Sequence, residues 1–172
     1  MNRQQLEHVI RASANIAEDD DIVVVGSQSI LGQFPDAPAE LLESMAADVY
    51  PRNKPEAWEL IDGSIGELSP FHRAFGYYAH GVGEETSTLP AGWKERLVPI
   101  RNENTRGATG WCLEVHDLLI AKAVAGREKD LSFISAALSQ RLADRATLGR
   151  RLAETLLASE LRAIVEARIA RA

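Results

Sequence analysis

The chain has 172 residues, which fits one domain with room for a small helical extension. Hydrophobic residues make up 45% and charged residues 26%, enough for a packed core with an ordinary charged surface. The formal net charge of −6 argues against a broad electrostatic grip on nucleic acid and leaves room only for a local basic site. The single cysteine, Cys112, excludes an internal disulfide and a thiolate zinc cluster, so the reducing cytoplasm is the expected compartment. Met1 to Leu6 show no apolar h-region, so no signal peptide is expected. No run approaches the ~20 apolar residues that span a bilayer, and no membrane association is expected.

In chain order, Leu6, Val9, Ile10 and Ile16 recur at helical spacing and predict an amphipathic helix over 2–17. Asp19-Asp20-Asp21 interrupts it. Ile22-Val23-Val24-Val25 is an unbroken β-branched run, the pattern of a strand buried on both faces. It ends at Gly26-Ser27, after which Gln28 to Leu31 can open a helix. A proline-containing loop and a short helix over 38–43 follow. Ala46 to Tyr50 reads as a second strand stopped by Pro51, and 55–61 as a helix with proline at its start. Residues 75–82, 97–101 and 111–115 read as further strands. From Asp117 the chain is helical, over 118–125, 131–142, 145–157 and 159–170. The expected class is α/β (α+β): a small mixed sheet with flanking helices over 1–142 and a C-terminal helical extension over 143–172.

Three segments carry possible chemistry. A strand ending in Gly26-Ser27 before a helix lets backbone approach a phosphate, and Ser27 adds a hydroxyl. Its ordinary reading is a tight turn. It is neither a Walker A loop nor a G-x-G-x-x-G fingerprint. Asp48, near the end of a short strand, is a carboxylate of the kind that holds Mg²⁺ on a triphosphate, or else an edge acid facing solvent. Its i+2 neighbour on the same face is Tyr50 rather than a second acid. The third segment runs from Leu113 to Leu131. Asp117 can cap the helix that follows. Lys122 sits among Ala121, Ala123, Val124 and Ala125, and must snorkel out or find an anion. Gly126 can stop that helix, Arg127 and Lys129 then occupy a helix–helix corner, and Asp130 can cap the next helix or pair with a base. The corner reads equally as a phosphate site or as an ordinary charged turn. His72, His80 and His116 match no zinc spacing.

Taken in order, Gly26-Ser27-Gln28, Ala47-Asp48-Val49-Tyr50-Pro51 and Ala125-Gly126-Arg127-Glu128-Lys129-Asp130 resemble the nucleotidyltransferase-fold superfamily. The likeness covers about Ile22 to Leu138. It looks most like the AbiEii-type and minimal nucleotidyltransferase branches of bacterial toxin–antitoxin and phage-defence operons. The resemblance implies the nucleotidyltransferase fold, an NTP substrate and Mg²⁺. By position it implies Asp48 as catalytic and metal-binding acid, and Gly26, Ser27, Lys122, Arg127, Lys129 and Asp130 as nucleotide-binding residues. A cognate protein from the same operon or an RNA acceptor is the implied partner. Tyr50 departs from the family's second acid, and His80 is a candidate for the place of its third, with Glu84 and Glu114 as substitutes from nearby sequence. Two readings therefore stay open: an enzyme moving a nucleotidyl group onto an RNA, protein or small-molecule hydroxyl, and a degenerate binding module of the same fold.

Overall fold

The β-branched run does form the centre of the sheet. In the computed structural model, which describes residues 1–172, five strands make one sheet: β1 (Asp21–Val25), β2 (Ala46–Pro51), β3 (Tyr78–Gly81), β4 (Val98–Ile100) and β5 (Thr109–Cys112). Their order is β3-β2-β1-β5-β4. β1 runs antiparallel to β2 and parallel to β5. β2 and β3 are parallel, and β4 and β5 antiparallel, so the sheet is mixed. Ile22 to Val25 are all buried, as a central strand between two neighbours requires.

The helices are α1 (Arg3–Ala17), α2 (Ile30–Gln33), α3 (Trp58–Ile65), α4 (Pro70–Phe75), α5 (Val115–Ala125), α6 (Glu128–Ser139), α7 (Arg145–Ala153) and α8 (Ser159–Arg171). α1 begins with a capping box. The Asn2 side chain accepts from the Gln5 amide, and the Gln5 side chain accepts from the Asn2 amide. Its buried Leu6, Val9 and Ile10 join the same core as Ile61 and Ile65 of α3. α5 is apolar nearly all round, so one packed face does not suffice. It is surrounded by α2, α6, α7 and α8. Leu148, Leu152, Val165 and Ile169 of the last two helices enter the core that the strands share. Arg168 of α8 donates to the carbonyls of Ala123 and Val124, satisfying the last turn of α5. No helix is long and apolar enough to cross a membrane.

Four expectations shift. Residues 75–82 are not one strand: α4 ends at Phe75, Gly76 turns the chain, and β3 starts at Tyr78. Residues 111–115 divide, because β5 stops at Cys112 and Val115 already belongs to α5. Asp117 does not cap α5. Glu114 does, accepting from the amides of His116 and Asp117. Asp117 instead lies buried in the first turn, where Arg96 donates to it at 2.8 and 3.0 Å. Asp130 does not cap α6, whose N-cap position is Arg127. Its carboxylate turns inward to two cations.

Candidate functional site

β1 delivers the chain to Gly26, whose φ of +67° and ψ of −169° fall in a region that glycine alone adopts without strain. Asp48 faces it from β2. A Cβ on Gly26 would lie 2.0 Å from Asp48 Oδ2, so the missing side chain makes room for the carboxylate. Ser27 follows in a short 3-10 turn (27–29) leading into α2. The helix expected to open at 28–31 is thus a 3-10 turn over 27–29 followed by the four-residue α2.

The third segment closes over this turn. Lys122, on α5, reaches Ser27 Oγ at 2.8 Å and Asp130 Oδ1 at 3.1 Å. Its ammonium also lies 4.3 Å from the centre of the Phe133 ring. A lysine this buried needs such partners. Burial pushes its pKa down, and the neighbouring Asp130 charge opposes that. Arg127 donates to Asp130 Oδ2 at 2.6 Å and to Oδ1 at 3.3 Å, yet is 63% exposed. Burial raises the Asp130 pKa, but hydrogen bonds from Arg127 and the Lys122 charge outweigh it and hold the carboxyl below its ordinary range. Asp130 therefore anchors the two cations. Lys129 is exposed and carries no ion pair.

All seven residues singled out from the sequence line one cleft of ≈1210 Å³. That is somewhat above the ~300–1,000 Å³ of small-ligand sites. His80 lines it too. It stands opposite Asp48 in the β2–β3 register, with its Nδ1 2.9 Å from Asp48 Oδ1. Tyr50 does not face this cleft. It is buried beside a separate cavity of ≈160 Å³ with Arg52, Trp93 and Glu84, its phenol pKa pushed up by burial and then by the Glu84 charge. Phe133, whose ring meets the Lys122 ammonium, also lines the cleft and has no signal in the sequence beyond its place on an apolar helix face.

A single divalent ion would find one carboxylate here, since such an ion takes one or two carboxylates and fills its other positions with further oxygens and water. Asp48 would supply that carboxylate. The donors do not fit a self-contained two-metal centre: no three His, Cys, Asp or Glu side chains converge on a metal position, and both Asp130 oxygens are engaged.

A family model described as "Nucleotidyltransferase of unknown function (DUF6036)" matches residues 4–168, so the chain belongs to this nucleotidyltransferase family. No curated protein and no solved structure matches it.

Proposed function

We propose that this member of the nucleotidyltransferase family binds an NTP in the cleft and transfers its nucleotidyl group to a hydroxyl acceptor. One observation carries the reading: Lys122 and Ser27, 95 residues apart in sequence, meet at 2.8 Å within sight of Asp48. The Gly26-Ser27 turn and the α5–α6 corner are then one phosphate site. Lys122, Arg127 and Lys129 supply charge to the triphosphate, Gly26 lets it approach the backbone, and Ser27 Oγ offers a hydrogen bond. Asp130 positions Lys122 and Arg127. A divalent ion on Asp48 neutralises charge on the phosphates and lowers the pKa of an attacking hydroxyl when bound. Catalysis then rests on positioning and electrostatics more than on covalent chemistry. Glu40, Glu43 and Glu128 share the cleft, which favours an uncharged or cationic hydroxyl acceptor over RNA.

The test is titration with each NTP, with and without Mg²⁺, of wild type and Asp48→Ala. Mg²⁺-dependent binding in wild type that falls at least about tenfold in the variant supports the reading. Binding that keeps its Mg²⁺ dependence in Asp48→Ala overturns the metal assignment.

A second reading has its own support. Asp48 is the one carboxylate aimed at the Gly26 turn, with Tyr50 turned elsewhere and His80 at its side. A degenerate binding module of this fold, without turnover and acting through a cognate partner in a toxin–antitoxin or defence operon, accommodates that. Wild type that binds no NTP and co-purifies with the neighbouring gene product favours it.

A further inference from the structure

Asp48 has a side-chain partner in the cleft. His80 stands across from it in the parallel β2–β3 register, on the same side of the sheet, and opens to the same cleft. Its Nδ1 is 2.9 Å from Asp48 Oδ1, and the two side chains are 56% and 35% exposed. Neither side chain makes another hydrogen bond with the protein. Two ligands ~2.1 Å from an octahedral ion and 90° apart lie ~3.0 Å from each other, close to the separation found here. An ion replacing the proton between them would need little backbone movement. Asp48 Oδ2 meanwhile points over Gly26, towards the turn that Lys122 contacts.

The chemistry of that donor pair sets the ion. Mg²⁺ is a hard cation that prefers oxygen, whereas imidazole suits first-row transition ions. We propose that His80 is a second protein ligand beside Asp48, making a mixed carboxylate–imidazole site that selects a first-row transition ion such as Mn²⁺ over Mg²⁺. This rests on the nucleotide-site reading of Asp48 and adds to it the second ligand and the class of ion. The exposed imidazole sits at the cleft wall, so the remaining coordination positions are open to phosphate and water.

The experiment titrates the full chain with MnCl₂ and with MgCl₂ as competitor, following free Mn²⁺ by electron paramagnetic resonance. Pulsed measurements on the bound ion then look for nitrogen coupling. Wild type is expected to bind Mn²⁺ about tenfold or more tightly than Mg²⁺, with nitrogen coupling on the bound ion. His80→Asp is expected to lose the coupling and to narrow the preference below about threefold while still binding an ion. Asp48→Asn is expected to lose binding of both. Bound Mn²⁺ without nitrogen coupling in wild type, or a preference unchanged in His80→Asp, overturns the His80 assignment and leaves Asp48 as ligand. Wild type that binds neither ion overturns this proposal, and Asp48→Asn that binds as wild type does overturns the Asp48 reading and this one with it.

Discussion

Asp130→Ala is expected to lower the unfolding free energy by about 3–5 kcal/mol, the range for removing one partner of a buried ion pair. The side chain of Asp130 is fully buried, and Lys122 is nearly so. Without the carboxylate, the Lys122 ammonium keeps only Ser27 Oγ and the Phe133 ring. The Arg127 half of the pair contributes less, because that guanidinium is mostly in water. pH dependence follows with a definite sign. The folded pKa of Asp130 lies below its unfolded value, so the contribution is full above the unfolded pKa of ~3.9 and is lost as pH falls through the folded value. Urea midpoints measured from pH 7 down to pH 2 check both points. Wild type should lose more stability below about pH 4 than Asp130→Asn, and parallel curves would contradict the account.

The second large effect is expected at Asp117. Its carboxylate is fully buried and takes two hydrogen bonds from Arg96, with Arg151 Nε 3.1 Å from Oδ1. That last contact is an ion pair without a hydrogen bond, since Arg151 Nε finds no acceptor in a bonding direction. Asp117 thereby ties the turn at 93–96, the start of α5 and α7 together. Asp117→Ala leaves two largely buried guanidiniums facing one another. A loss of about 3 kcal/mol follows, or a Tm lower by on the order of 6–12 °C for a chain of this size. Asp117 does not line the cleft. Nucleotide affinity measured well below the new Tm should therefore stay within about twofold of wild type, whereas Asp130→Ala should lose it. Differential scanning calorimetry and nucleotide titration on both variants separate the structural carboxylate from the one that serves the site.

What could be read from the sequence divides along physical lines. The β-branched run at 22–25 has few ways to be buried other than as a central strand, and it is one. Lys122 was conspicuous because an ammonium among alanines and valine demands an anion, and Asp130 meets that demand eight residues on. Ion pairs between residues distant in sequence have no local signal. Nothing around Asp117 points to Arg96 or Arg151, so its carboxylate reads as a cap until the fold brings those cations in. Glu114 wins the cap because it precedes the helix with extended backbone, while Asp117 is already a turn inside. Tyr50 shares the i+2 relation with Asp48, yet its bulk and burial take it to a different cavity. Likewise the strand at 75–82 was overextended because Phe75 and Tyr77 carry β propensity, while Ser69-Pro70 opens a helix and Gly76 ends it.

The central claim is that the Gly26-Ser27 turn and the α5–α6 corner form one phosphate site. Isothermal titration of ATP with Mg²⁺ into wild type and Lys122→Met tests it most directly, with circular dichroism to verify that the variant is folded. Lys122→Met is expected to bind at least about tenfold more weakly, as when a charge-assisted contact to phosphate is removed. A folded Lys122→Met protein that binds ATP as tightly as wild type would contradict it.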